Sequence, residues 1–233
     1  MDTTSWGRRA LLDTAFALVI VLAVLVAFTV GRRIARGPGA RFAITQTRPV
    51  ASRIDGASYH VHAAAADAEG AADALAAVNG RALGLLRFLR GRYLRGPAGR
   101  RQLATQRLLA RYNPDNLAEN SPSDPTGDTA YSLDKGAVLA LCLRERGGPN
   151  SGALHSLDTL TFVAFHEMAH VATDVPAGAD DHPPAFWATF RFLLEAGEGA
   201  GVFAPPDYAR APVTYCGVRV DYSPRWDPAL QPI

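Results

Sequence analysis

Polar and apolar positions are unevenly distributed along the chain. From Ala15 to Val30 it reads AFALVIVLAVLVAFTV, an apolar run with Thr29 as a mild interruption. Extended back to Ala10, across Asp13 and Thr14, the run gives about 30 Å of helix, enough to cross a bilayer core. A core helix would show a polar face, and a signal peptide would end in small residues at a cleavage site. This run has no polar face and stops at Gly31-Arg32-Arg33. It predicts a transmembrane helix, with residues 1–33 as an N-terminal membrane anchor. Basic residues near a span resist translocation. Arg8 and Arg9, partly offset by Asp2, stand on one side, and Arg32, Arg33, Arg36 and Arg41 on the other. The expectation is a single-pass membrane protein with the bulk of the chain in the cytoplasm.

The stretch 34–55 is rich in Gly, Pro and Arg and reads as a linker, leaving 56–233 as the folded domain. SYHVHA (58–63) alternates as a short strand does, and the Ala-rich stretch from Ala71 to Leu94 reads as a helix broken near Gly96-Pro97. A second helix is expected over Arg100 to Tyr112, and 113–128 is loop by its turn formers. TAYSLDKGAVLALCLR (129–144) predicts a hairpin turning near Asp134-Lys135-Gly136, whose second arm is a buried strand. A helix should run from an Asp158 N-cap to about Thr173, and another from Pro183-Pro184 to about Ala196, with Phe186, Phe190, Leu193 and Leu194 on its buried face. A strand near VTYCGVRV (213–220) and a Pro-rich tail complete the chain.

With 233 residues, 48% hydrophobic and 20% charged, the chain supports one good-sized core. Its two cysteines, Cys142 and Cys216, make no disulfide framework and fit a reducing compartment, with a single bridge as the alternative. The net charge of +2 says little, but nine arginines and no acid lie between Arg81 and Arg111. That block can be an ordinary solvated helix face, or it can attract anionic lipid headgroups or nucleic acid phosphates.

FHEMAH (165–170) is the stretch with the clearest chemistry. On a helix, His166 and His170 lie one turn apart on the same side, so both imidazoles reach one ion with Glu167 beside them. Catalytic zinc takes three protein ligands and leaves a fourth position open. His182, followed by two prolines that stiffen it, is the favoured third ligand. Glu195 is the second choice, and Asp180 and Asp181 are further possibilities. His60 and His62 share one side of a strand and read as surface residues, His155 as loop, and Met168 as core.

HEMAH followed by HPPAFW resembles the zincin metallopeptidases of the WLM and SprT-like group, close in flavour to WLM-like proteins of large DNA viruses and algae. The resemblance covers residues 129 to 224. It implies an α+β zincin-like domain with a small sheet packed on the active-site helix. It further implies His166, His170 and His182 on Zn2+, Glu167 as general base, and peptide-bond hydrolysis. The longer spacing to His182 and the anchor depart from the compact members. Tyr215, in TYCG, is a candidate second stabiliser of the oxyanion, or a packed aromatic. The strand at Val138 to Leu143 would bind an extended peptide if it were an edge. Two rivals stand beside this reading: a catalytically silent zincin-like binding module, and a protease acting on DNA-associated proteins.

Overall fold

In SYHVH the alternation places Tyr59 and Val61 in the core and turns His60 and His62 to the other face, and this period-2 pattern is strand β2 (Ser58–His62). The computed structural model describes residues 46–120, 129–133, 135–147, 151–175 and 180–233. The chain divides into two units, Met1–Arg41 and Phe42–Ile233, and all described residues belong to the second.

β2 is the second strand of a five-stranded sheet. The others are β1 (Thr47–Ala51), β3 (Leu117–Glu119), β4 (Ala130–Leu133) and β5 (Val138–Leu141), in the order β1-β2-β3-β5-β4. β2, β3 and β5 run parallel, and β1 and β4 are antiparallel to their neighbours at the two edges. Four α-helices accompany the sheet: α1 (Ala68–Tyr93), α2 (Arg100–Arg111), α3 (Leu157–Ala172) and α4 (Pro184–Gly199). α1 packs on β2, and α3 packs on β4, β5 and the other three helices. A separate two-stranded sheet, β6 (Val213–Tyr215) and β7 (Val218–Val220), follows α4.

Several expectations change. The fold class is corrected from a small-sheet α+β domain behind a transmembrane helix to a mixed α/β domain with four α-helices and two sheets among the described residues. No helix among those residues is long and apolar enough to cross a membrane. The expected anchor at 1–33, and the part of the expected linker from 34 to 45, lie outside the described residues. Within the same linker stretch the chain forms β1, whose pairing with β2 runs from Thr47↔His62 to Ala51↔Ser58. The 129–144 hairpin is present, but its buried arm β5 is an inner strand, and the edge is β4. The 213–220 strand is in fact a hairpin. The N-cap of α3 is Ser156, whose hydroxyl accepts from the Thr159 N–H at 3.2 Å, and Asp158 lies in the first turn.

Gly197 sets the approach of α4 to α3. A Cβ there would stand 2.6 Å from Phe165 Cε2, next to the motif histidine. Gly197→Ala is expected to destabilise the domain by about 1–3 kcal/mol through overpacking. Gly80→Ala, in α1 with nothing within 4 Å of the added methyl, should instead stabilise by about 0.5–1 kcal/mol through helix propensity. Urea midpoints of the two variants check this opposite sign.

Candidate metal centre

α3 supplies His166, Glu167 and His170, and the entry to α4 supplies His182. The spacing of four brings the Nε2 atoms of His166 and His170 to 3.2 Å, and His182 Nε2 lies 3.1 Å from His166 Nε2. One imidazole nitrogen carries a single lone pair or a single proton, so His166 Nε2 cannot make two good hydrogen bonds at once. Three ring nitrogens bound about 2.0–2.1 Å from a tetrahedral ion would sit roughly 3.3–3.4 Å apart. The observed triangle fits a shared cation better than it fits hydrogen bonds.

The floor of the triangle is dry. Phe186, fully buried, lies with its ring centroid 4.9, 4.3 and 4.7 Å from those of His166, His170 and His182. It is the aromatic of HPPAFW, three residues into the helix that follows His182, so the same short segment delivers a ligand and its support. The Asp180 carboxylate accepts from the His182 backbone N–H at 3.0 Å and fixes the approach to α4. Among the described residues the group has these three members. Glu195, the second choice as third ligand, instead pairs with Arg191 at 2.9 Å. With nitrogen donors on three corners and no fourth protein donor in the group, these residues can hold a metal ion and leave a position open.

That position faces a cleft of about 670 Å³. Glu167, 5% exposed, lines it beside the histidines, as do Asp181, Tyr215, Thr129 and, on the edge strand, Ala130, Tyr131 and Ser132. Tyr215 is buried, and its phenol donates to the Thr129 carbonyl at a long 3.4 Å. Burial, reinforced by the negative Glu167, holds this phenol above its ordinary range, so it stays protonated. The cleft wall formed by Val218 to Tyr222 was not foreseen from sequence. The alternation in AYSL against the unbroken VLAL was the available signal that β4, and not β5, was the edge.

Burial, and then the other two histidines, push His166 down to about 3; burial, and then His182, push His170 down to about 4. Both are neutral at pH 7, as metal ligands must be. In the unfolded chain histidine titrates near 6.5. Between that value and about 4 the unfolded chain therefore binds protons that the native chain does not, and the stability present above pH 6.5 is lost as pH falls. Thermal melts in chelator should show the metal-free domain losing several degrees between about pH 7.5 and 5, with a flatter dependence in His166→Ala.

The arginine block is split. Arg107 and Arg111 reach the last carbonyls of α3, Ala172 and Val171, and pair with Asp174 at 2.5 and 3.3 Å, capping the C-terminal end of the motif helix. Arg81 pairs with Asp158 at 2.8 Å, and Arg101 binds the Ile233 carbonyl at 2.5 Å. Arg87, Arg90, Arg92, Arg95 and Arg100 are exposed, with no ion-pair partner among the described residues. Cys142 and Cys216, which the sequence fits to a reducing compartment or to a single bridge, are joined in a disulfide. His155 lies in a loop, as read from sequence, and its ring packs against Tyr215 at 5.0 Å and lies 3.3 Å from Cys216 Sγ.

No family model matches the chain, and no solved structure does. A curated relative, an uncharacterized protein of Acanthamoeba polyphaga mimivirus, is 34% identical over 105 residues, which is 45% of this chain and 49% of that protein. The chain therefore spans about half the length of the curated relative it matches.

Proposed function

We propose that the chain is a zinc-dependent metallopeptidase of the WLM or SprT-like kind. The observation that carries this reading is the convergence of His166, His170 and His182 at nitrogen separations of 3.2 and 3.1 Å, with a buried carboxylate beside them and an open cleft in front. Zinc at such a site lowers the pKa of its water to about 7 and polarises a carbonyl oxygen. The Glu167 carboxylate takes a proton from the attacking water and passes it to the departing amine. The Tyr215 phenol, kept protonated, would have to turn its single hydrogen from the Thr129 carbonyl, reached only at 3.4 Å, toward charge developing on the substrate carbonyl oxygen. Strand β4, at the edge of the sheet, lines the cleft where an extended peptide would lie, and Phe162 and Phe190 give the cleft an apolar interior. The five exposed arginines are the surface for an anionic partner, lipid headgroup or nucleic acid phosphate, and salt should weaken that contact.

Metal analysis tests the reading directly. The purified chain, stripped with chelator and reloaded, should hold about one zinc per molecule and cleave an unfolded protein substrate. His182→Ala should lose both properties. Zinc retained in His182→Ala would remove that residue from the ligand set. Tight zinc binding without hydrolysis of any peptide would make the chain a silent zincin-like binding module.

A further inference from the structure

The β6–β7 hairpin forms its own two-stranded sheet and pairs with no strand of the main sheet among the described residues. A two-stranded hairpin is marginal alone, so its position depends on what ties it down. Its tip, Cys216-Gly217, is a two-residue turn with φ of 51° and 83°. Such a turn favours Asn or Gly at both positions, because other residues are strained there. A cysteine at the first position is explained by its bond to Cys142, which directly follows β5. Noncovalent ties also hold it, since Tyr215 and Cys216 are buried in the core and Val213 and Val220 pack against it. The Cys216 N–H donates to His155 Nε2 at 3.2 Å, and the Gly217 N–H donates to Glu145 at 2.9 Å. On one side of this tip stands Tyr215; on the other, Val218 to Tyr222 form a wall of the cleft. Tyr222 packs edge-on against Trp187 at 5.4 Å, and Trp187 packs against His182 at 5.6 Å.

We propose that Cys142 and Cys216 are an exchangeable thiol–disulfide site whose reactant is a dithiol, and that its redox state sets the position of the cleft wall. In the first step a thiolate of the dithiol attacks Cys142 Sγ, forming a mixed disulfide. The electron pair of the broken S–S bond leaves on Cys216 as a thiolate, released 3.3 Å from the His155 imidazole. The second thiol of the reactant then attacks the mixed disulfide and releases Cys142. The chain gains two electrons and two protons, and the dithiol becomes a disulfide. Both sulfurs are buried, but Gly217 and Val218 beside them are exposed, so lifting the tip away from Glu145 and His155 opens the route.

The effect on hydrolysis rests on the peptidase reading, but the effect on the hairpin does not. The test is amide hydrogen exchange of the full chain, oxidised and then treated with dithiothreitol under native conditions, with thiols counted in parallel. Reduction should free both thiols and speed exchange in 213–222 by on the order of tenfold or more. Protection of α3 should fall only by the global loss of stability, while the hairpin opens locally; zinc content should stay unchanged, peptide hydrolysis should fall, and reoxidation should reverse these changes. A Cys142→Ser/Cys216→Ser variant should exchange fast at the hairpin whether or not reductant is present. Free thiols in the oxidised sample, a bond that yields only when the domain unfolds, or unchanged hairpin exchange after reduction would each overturn the proposal. A hairpin that responds in a chain that cleaves nothing in either state would end the peptidase reading and leave the thiol site standing.

Discussion

Glu167→Gln is expected to lower kcat for peptide hydrolysis by about 10²–10⁴-fold, the usual contribution of a positioned general base. Metal content should not change, because Glu167 is not one of the three donors that form the cluster. The amide has nearly the shape of the carboxylate, so at a position only 5% exposed the packing survives and the loss is chemical. An amide cannot take a proton from water, whereas contacts that merely bind the peptide are left in place, so KM should move little. The neighbouring Tyr215 provides a second readout. Part of what holds its phenol high is the Glu167 charge, so its pKa should drop in the variant, although burial, the larger cause, will keep it above the ordinary value. A variant that retains full kcat with zinc bound would remove Glu167 from catalysis.

Legibility in the sequence followed the length over which the physics acts. His166, Glu167 and His170 are fixed by helix periodicity alone, and the structure puts them where a spacing of four dictates. His182 needed one more short-range fact, the stiff Pro183-Pro184 entry to α4, and its ring joins the other two. The rest of the site depends on long-range pairing. That β5 lies inside the sheet is decided by β3, some twenty residues earlier, so which arm of the correctly read hairpin forms the edge was left open by the local sequence. The disulfide joins cysteines 74 residues apart, and no local pattern in LCL or YCG announces it. β1 escaped notice because a short strand carrying Pro49 at a sheet edge looks like linker by composition. The division of the arginine block is likewise a tertiary matter, since Arg107 and Arg111 cap α3 only after α2 has folded against it.

Replacing both cysteines, as Cys142→Ser/Cys216→Ser, should cost about 4 kcal/mol of stability. The bridge closes a loop with a sequence separation of 74, and the chain-entropy cost that it removes from folding grows with loop length to roughly that value. For a domain of this size the loss corresponds to a fall in Tm of about 8–16 °C. The loop contains β4's partner strand exit, all of α3 and α4 and the three histidines, so every ligand lies inside the segment whose unfolded freedom the bridge restricts. The strain at Cys216, with φ of 51°, stays in the serine variant because the turn still requires it, and it gives no relief to offset the loss. Chemical denaturation separates this effect from local loosening of the hairpin. The wild-type midpoint should drop in reductant to that of the double variant, whose own midpoint should ignore reductant. Equal midpoints for oxidised wild type and double variant would mean that the bond constrains nothing in the unfolded chain.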